Sequence, residues 1–149
     1  MSKVLILKGL PGCGKSAYAK ELMDKEKGWV RVSRDNLREM LYFGGFSRSK
    51  EDRLVYYMKY ILVDLLKDGY NVIVDNIHLD PEHIAIIHDA ILFSNVKCDT
   101  DIKVIDTPLE ECIARDSLRP DSIGEEVIRK LYDKWSHTLQ PVVNKPTED

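Results

Sequence analysis

The sequence is poor in cysteine, has no long apolar run and carries no excess of basic residues. Its three cysteines, Cys13, Cys98 and Cys112, are scattered, which fits buried thiols in a reducing compartment better than a disulfide framework or a zinc site. No segment approaches the roughly 18 consecutive apolar residues that a membrane span requires. The first residues lead directly into a strand pattern and not into a signal peptide. We therefore expect a cytoplasmic protein without a membrane partner.

The charge balance limits the range of partners. With a net charge of −3, the chain lacks the basic surface of a protein that coats nucleic acid non-specifically. A protein that holds one strand end in a local basic cleft remains compatible with this balance. The charge count alone therefore decides little about function.

The order of predicted elements indicates an α/β fold. Short apolar runs, typical of strands buried on both faces, cover residues 3–8, 29–32, 71–75 and 102–105, and segments of helical periodicity separate them. This alternation predicts a parallel central sheet with helices on both faces, in three layers. We expect one domain over residues 1–139, followed by a polar, proline-containing tail at 140–149.

A glycine-rich segment between the first strand and the first helix fits the phosphate-binding pattern G-x-x-x-x-G-K-[ST]. Its glycines allow backbone N–H groups to surround phosphate oxygens, and the helix N-terminus adds partial positive charge. Lys15 is then expected to reach the β- and γ-phosphates, and the Ser16 hydroxyl to bind Mg²⁺. The residues expected to contact a nucleoside triphosphate such as ATP are Gly9, Pro11, Gly12, Cys13, Gly14, Lys15, Ser16 and Ala17.

Two alternatives compete with this interpretation. The stretch from Gly12 to Ala17 also satisfies the dinucleotide pattern G-x-G-x-x-[GA], and Asp35 lies near the distance expected for a ribose-binding acid. That pattern requires neither Lys15 nor Ser16, and 149 residues leave no room for the substrate domain of a hydride-transferring enzyme. A glycine turn with an exposed lysine is the remaining alternative.

A second polar cluster follows the second strand. Asp35 and Arg38 are three residues apart on a predicted helix, so their side chains can face the same cleft. A carboxylate there can accept the proton of an attacking hydroxyl, and the forked guanidinium groups of Arg34 and Arg38 suit phosphate oxygens. The alternative is that Asp35 only caps the helix and the arginines are solvated.

Four segments together resemble the kinase domain of bacteriophage 5′-polynucleotide kinases. They are Gly-Leu-Pro-Gly-Cys-Gly-Lys-Ser, Val-Ser-Arg-Asp-Asn-Leu-Arg, Val-Ile-Val-Asp-Asn-Ile-His-Leu-Asp-Pro-Glu and Ile-Asp-Thr-Pro-Leu-Glu-Glu-Cys. The resemblance covers residues 3 to about 136. It implies a P-loop NTPase fold of the adenylate-kinase-like type. It also implies ATP-dependent, Mg²⁺-assisted phosphorylation of the 5′-hydroxyl of DNA or RNA in nucleic-acid repair.

The resemblance also implies residue roles. Asp35 becomes the general base for the 5′-hydroxyl, Arg38 binds the 3′-phosphate of the terminal nucleotide, and Arg34 binds the neighbouring strand backbone. Asp75 and Asn76 line the acceptor site. A role for Asp75 in orienting a Mg²⁺-bound water stays open, as does a purely structural bond from this residue to the P-loop backbone.

Arg115 and Arg119, four residues apart near the end of a predicted helix, resemble the lid arginines of the same family. An arginine that closes on the triphosphate stabilises the charge of the transition state, so Arg119 is expected to be catalytic beside Lys15 and Asp35. The alternative is a solvated helix end, where arginine is common.

Rival functions and several questions remain open at this level. A small-molecule kinase that acts on a sugar acid, a nucleotide or an antibiotic shares the P-loop, the base and the lid, and a nucleotide-dependent binding module is a further alternative. The resemblance predicts kinase activity without a phosphatase domain. DNA or RNA preference, donor preference and oligomeric state, a homo-oligomer included, stay undecided.

Other polar and aromatic residues receive a structural interpretation. The histidines at 78, 83 and 88 are spaced by five residues, which does not suit a metal site on one helix face. The predicted turn before the fourth strand contains Asp99 and Asp101. Ser122 and Glu125 form a predicted capping box. The three tyrosines of the long helix, Tyr56, Tyr57 and Tyr60, are expected in the core, with base stacking as the alternative. A basic rim near the acceptor channel and a solvated face are equal alternatives for Arg31, Arg48, Lys50 and Arg53.

Overall fold

A computed structural model describes residues 1–139, and the predicted tail at 140–149 lies outside the described residues. The described chain contains one four-stranded sheet in which every pairing is parallel, with the strand order β2-β3-β1-β4. The predicted α/β class and parallel sheet are confirmed. The strands are β1 (Ser2–Lys8), β2 (Trp29–Val32), β3 (Asn71–Asp75) and β4 (Cys98–Val104).

Helices connect the strands and continue after the last one. Their N-termini carry sequence signals: Ser47 caps the long third helix, and Asp80 caps the fourth, which has proline in its first turn. The helices are α1 (Lys15–Lys25), α2 (Arg34–Tyr42), α3 (Arg48–Lys67), α4 (Pro81–Ser94), α5 (Leu109–Ser117) and α6 (Glu125–Trp135), followed by a 3₁₀ turn (Ser136–Leu139).

The alternating residues of the central strands form two cores. Val4 and Ile6 face a layer built from α3 and α4, in which Met58, Leu62 and Ile87 are buried. The opposite side carries Leu7 and Ile73, which pack on Ala19 and partly buried residues of α1. Full burial of a side chain of this size contributes about 1.5–3 kcal/mol. These two cores hold the sheet rigidly beneath the loops at its carboxyl edge.

A third core lies beyond that edge. Leu10 and Cys13 of the glycine loop pack with Leu79 and Cys112, and partly buried residues of α6 and the 3₁₀ turn cover them. The C-terminal helices therefore form a wall behind the loop.

The strand register brings the polar segments together. Leu7 of β1 pairs with Asp75 of β3, while Lys8 pairs with Val104 of β4 and Val32 of β2 pairs with Val74. All four strands therefore end at one edge of the sheet. The glycine loop follows β1, the helix with Arg34, Asp35 and Arg38 follows β2, and Asn76 follows β3 directly.

Three expectations for local structure are wrong. Strand β4 begins at Cys98, so Asp99 and Asp101 lie in a strand and not in a turn, because pairing with β1 starts at Ser2. Ser122 caps no helix: its hydroxyl donates to Asp116 (2.7 Å), and Gly124 occupies the cap position of α6.

The tyrosines of α3 are the third error, because they are exposed. The buried stripe of this helix consists of Leu54, Met58, Leu62 and Leu66, which recur every four residues and fill the side facing the sheet. Tyr56, Tyr57 and Tyr60 therefore remain outside the core. None of the described helices combines the length and the apolar character that crossing a membrane requires.

Candidate functional site

The glycine loop has the backbone geometry of a phosphate cradle. Gly12 and Gly14 have φ values of 80° and 102°, in the left-handed region that favours glycine. A Cβ on Gly12 would lie 2.4 Å from the Cys112 carbonyl oxygen, so the loop also needs glycine for close packing. No described side chain caps α1, and its first N–H groups are available to an anion.

Lys15 is buried and lies across this loop. Its Nζ donates to the carbonyl oxygens of Gly9 (3.1 Å) and Leu10 (3.0 Å). Pro11 is buried in the loop, whereas Ala17 is exposed on the first turn of α1. Lys15 is therefore held against the carbonyl groups of the loop, and the alternative of an exposed lysine on a simple glycine turn is wrong.

Ser16 and Asp75 meet next to the loop. The Ser16 hydroxyl donates to the Asp75 carboxylate, with 3.0 Å between Oγ and Oδ2, and Asp75 is buried. Asp75 therefore bonds a side chain of the loop and not its backbone. A hydroxyl and a carboxylate are oxygen ligands of the kind that Mg²⁺ accepts beside phosphate oxygens, so these residues fit a magnesium ion.

Arg31, which the sequence suggested only as part of a basic rim, joins this pair. Its Nε donates to Asp75 Oδ2 (2.7 Å), and its Nη2 donates to the Ser16 hydroxyl (3.2 Å). The signal in the sequence was a charged residue inside the short apolar strand β2. The guanidinium balances the buried carboxylate of Asp75 in the structure.

Helix α2 presents the predicted base. Ser33 is its N-cap and accepts from the Asn36 backbone (3.3 Å), so Asp35 is not the capping residue. The Asp35 side chain is 71% exposed, and its Oδ1 accepts from Arg38 Nη1 (2.7 Å). The structure therefore brings Asp35 and Arg38 together and leaves the carboxylate open to a substrate.

Glu51 of α3, which sequence analysis missed, fixes Arg38. Its two oxygens accept from Arg38 Nε (2.6 Å) and Nη2 (2.9 Å), and this bidentate pair raises the pKa of Arg38. Arg34 is half-buried beside the same carboxylate, with 3.6 Å between its Nε and Glu51 Oε2. Burial lowers the pKa of Arg34. Nothing in the local sequence pattern distinguishes Glu51 from other acids of this helix.

A buried histidine links α2 to the first strand. His78 Nδ1 lies 2.5 Å from the carbonyl oxygen of Leu7, so this nitrogen carries the proton. The other nitrogen, Nε2, then accepts from Asn76 Nδ2 (3.4 Å), and Asn76 Oδ1 accepts from the Arg34 backbone (2.8 Å). The predicted acceptor residue Asn76 therefore holds the start of α2, and His78 orients its amide.

His78 is neutral at physiological pH. Burial, together with the nearby charges of Arg34 and Lys15 and the His83 ring, lowers its pKa to about 4. The expectation of a satisfied histidine holds, but the residue lies inside the site and not on the surface. The signal was its position three residues after the end of β3.

The two predicted lid arginines differ in position. Arg115 Nη1 donates to the Cys13 carbonyl oxygen (3.3 Å), which also accepts from Thr107 Oγ1 (2.7 Å). The Arg119 side chain contacts Asp121 (3.5 Å), and no hydrogen bond of the described residues joins it to the glycine loop. The structure therefore brings Arg115, but not Arg119, to the nucleotide side.

The segment after Arg119 is anchored. Buried Asp116 accepts from the Ser122 hydroxyl (2.7 Å) and from the backbone N–H groups of Ile123 (3.1 Å) and Gly124 (2.9 Å). These bonds close a loop over residues 117–124. Arg119 lies in the exposed part of that loop.

A protein-family model described as an AAA domain matches residues 4–142. The chain belongs to this family. The AAA domain is similar to a protein of Autographa californica nuclear polyhedrosis virus described as a bifunctional polynucleotide kinase/RNA ligase. The two are 26% identical over 89% of this chain and 21% of the viral protein.

Two solved structures extend the comparison. The AAA domain is 30% identical to a chain of the Pnkp1/Rnl/Hen1 RNA repair complex, over 92% of this chain and 45% of that chain, with a TM-score of 0.74. It is 26% identical to the Mycobacterium tuberculosis APS kinase CysC, solved with AMPPNP and APS, over 92% of this chain and 75% of that one, with a TM-score of 0.62.

These similarities support a P-loop kinase domain, so the expected family resemblance and fold are confirmed. The AAA domain spans about a fifth of the viral relative and less than half of the matched chain of the RNA repair complex. Kinase relatives support a phosphotransferase that uses a nucleoside triphosphate.

Proposed function

We propose that this domain is an ATP-dependent kinase that transfers the γ-phosphoryl group to the 5′-hydroxyl of a DNA or RNA strand, in nucleic-acid repair. The main observation behind the proposal is that hydrogen bonds connect two halves of the site, a donor half at the P-loop and an acceptor half at the start of α2. Asn76 holds the start of α2, where Asp35 lies, and the adjacent Asp75 bonds Ser16 of the P-loop. Similarity to proteins described as a polynucleotide kinase/RNA ligase and as part of an RNA repair complex supports a polynucleotide acceptor.

The P-loop side holds the donor. Backbone N–H groups of the loop and Lys15 would bind the phosphate chain of ATP, and Ser16 and Asp75 would hold Mg²⁺ in place of the Arg31 guanidinium that contacts both of them here. When bound, Mg²⁺ neutralises charge on the phosphate oxygens. Arg115, already at the loop, and Arg119, on the anchored loop, close over the triphosphate and exclude water.

The α2 side activates the acceptor. Asp35 takes the proton of the 5′-hydroxyl while that oxygen bonds to the γ-phosphorus and the bond to the β-phosphate oxygen breaks, so that ADP leaves. Arg38 has five N–H donors, of which three are used by Asp35 and Glu51. The other two can hold a phosphate of the acceptor.

Replacing Asp35 tests the proposal. Asp35→Asn keeps the size of the side chain and removes the base, so kcat with a 5′-hydroxyl oligonucleotide should fall by about 100-fold to 10,000-fold. The affinity for ATP should stay unchanged. The matched control is Asp52→Asn on α3, which should keep wild-type activity. A near-normal kcat for Asp35→Asn would exclude the base assignment.

The similarity to APS kinase favours a second candidate, a kinase of a small-molecule hydroxyl. Labelled ATP offered to 5′-hydroxyl DNA, 5′-hydroxyl RNA, 3′-mononucleotides and a set of metabolites separates the two functions. Label transferred only to metabolites would replace the polynucleotide proposal with this one. ATP hydrolysis without any acceptor would indicate a binding module.

A further inference from the structure

Aromatic side chains form an exposed strip that begins at the turn after α2, the helix that carries Asp35 and Arg38, and continues along α3. Phe43 and Phe46 flank the turn between α2 and α3 and are 92% and 80% exposed, and Tyr56 and Tyr60 on α3 are 55% and 67% exposed. We define the aromatic strip as Phe43, Phe46, Arg53, Tyr56, Tyr57 and Tyr60. Its apolar rings face solvent although the core of α3 is already filled on the other side of the helix.

The turn at the start of the strip is held in an unusual conformation. Phe43 has φ 52°, in the left-handed region where a bulky side chain is strained, and Gly44 and Gly45 follow it with positive φ. The result is two phenyl rings presented on the two sides of a glycine pair. The Gly44 N–H donates to the carbonyl oxygen of Arg38 (3.4 Å), which joins the turn directly to the acceptor half of the site.

Cations accompany the rings. The guanidinium of Arg53 lies over the rings of Tyr56 (5.8 Å) and Tyr57 (5.6 Å), and these two rings pack edge to face (5.6 Å). Lys50 lies over the Tyr42 ring (5.2 Å). Of the two acids between these cations, Glu51 is turned towards Arg34 and Arg38 and does not offset this charge, whereas Asp52 is exposed.

Helical spacing makes the strip continuous. Lys50, Arg53, Tyr57 and Tyr60 recur every three or four residues, so they share one face of α3. From Lys50 to Tyr60 this face is about 15 Å long at 1.5 Å per residue. Glu51, which holds Arg38, lies on the opposite side of α3. A chain that leaves the acceptor half of the site therefore reaches this face over the end of α2, where Lys50 contacts Tyr42.

We propose that the aromatic strip binds the acceptor strand beyond its 5′-terminal nucleotide, with bases stacked on the exposed rings and phosphates near Lys50 and Arg53. This inference rests on the proposed function and explains how the proposed kinase site selects a single strand over a free nucleotide. Exposed rings interleaved with cations are the chemistry that binds single-stranded nucleic acid without sequence preference. The positive charge of Lys50 and Arg53 complements a polyanion.

The test compares acceptors of increasing length. In Phe46→Ser/Tyr56→Ser/Tyr60→Ser, the KM for a long 5′-hydroxyl single strand should rise roughly tenfold, because stacking is worth about that factor per base. The KM for a 3′-mononucleotide should change much less, and the KM for ATP should stay constant. The control is Phe93→Ser, which removes an equally exposed ring at the end of α4.

Binding measured without catalysis gives a second readout. A fluorescent single-stranded oligothymidylate should bind the wild type and Phe93→Ser with equal affinity and bind the triple variant roughly tenfold more weakly. Circular dichroism and the KM for ATP show whether the triple variant is folded. If that variant unfolds, Tyr60→Ser alone, which removes the more exposed of the two tyrosines, should show a smaller loss in the same direction.

Three outcomes would contradict the inference in different ways. An unchanged KM for long strands in a folded variant overturns the strip and leaves the proposed function intact. A wild type that phosphorylates no polynucleotide overturns both. A triple variant that turns a dimer into a monomer, with strand affinity unchanged, identifies the strip as an interface with a second copy of this chain.

Discussion

The donor half and the acceptor half of the site are built in different ways. The proposed donor half is one continuous segment, the loop from Gly9 to Ser16, in which backbone N–H groups are expected to make most of the contacts with the phosphates. The acceptor half is assembled from side chains of separate elements: Asp35 and Arg38 on α2, Glu51 on α3, and Asn76 and His78 after β3. Backbone geometry follows from a local motif, whereas the acceptor half depends on how the elements pack.

This contrast predicts where single substitutions act. A change in the loop should remove activity with every acceptor, because all acceptors use the same donor. A change in the acceptor network should alter the use of the acceptor and leave the KM for ATP constant.

Among substitutions other than that of the base Asp35, the largest effect is expected from Lys15→Ala. Lys15 is the buried cation of the loop, and its loss removes stabilisation of charge on the transferred group, which should lower kcat by about 100-fold to 1,000-fold with every acceptor. The measurement is transfer of labelled phosphate from ATP. Lys20→Ala, an exposed lysine of α1, is the control. Activity retained by Lys15→Ala would contradict the assignment of this loop as the donor site.

A smaller effect is expected from Glu51→Gln. The amide cannot form a bidentate ion pair with Arg38, so Arg38 and its partner Asp35 lose their fixed positions. Loss of these charge-assisted bonds should lower kcat/KM for the acceptor by about tenfold, with the KM for ATP unchanged. Asp52→Asn, the adjacent exposed acid, should have no effect. An equal loss of kcat/KM for ATP would show that the donor half and the acceptor half do not act separately.

The effect of His78 should depend on the hydrogen bonds that the new side chain can form. Leucine removes the donor to Leu7 and the acceptor for Asn76, whereas glutamine retains one of each. We expect His78→Leu to lower kcat with the acceptor about fivefold, at roughly 1 kcal/mol for the hydrogen bonding lost. His78→Gln should recover most of this activity. His88→Gln is the surface control, and equal losses for Leu and Gln would exclude the positioning role.

The smallest effect concerns the pH dependence of stability. The pKa of His78 is about 4 in the folded chain, below its ordinary value, so the unfolded chain binds more protons between the two values. The stability that depends on the neutral ring is complete above the unfolded pKa of about 6.5 and is lost as the pH falls towards 4. Arg34, His83 and Lys15 face this ring and are present in both the wild type and the variant, so their own contributions to stability largely cancel when the two proteins are compared.

Denaturant unfolding of the wild type and of His78→Gln from neutral pH to pH 4 measures this dependence. The difference in the free energy of unfolding between the two proteins should change with pH in the direction just stated, with the wild type losing more stability on acidification. Parallel pH profiles would show that the pKa of His78 does not differ between the folded and the unfolded chain.

The comparison between the two halves also shows which features could be predicted from the sequence and which could not. The loop, the four strands and the α/β class follow from local patterns, and the positions of Asp35 and Arg38 on one helix follow from helical spacing. Errors occurred where burial had to be inferred. The tyrosines of α3 look like core residues by composition, but a stripe of four aliphatic residues already fills the face towards the sheet.

The amino-acid sequence by itself determined the phosphate loop, because its glycines and Lys15 act within a few consecutive residues. Only the tertiary structure decided that Asp75 bonds Ser16, that Arg31 joins them, and that Glu51 and His78 support the acceptor half. These contacts join residues far apart in the chain. They depend on the parallel register that brings the ends of β1, β2 and β3 to one edge of the sheet, and local propensity does not encode that register.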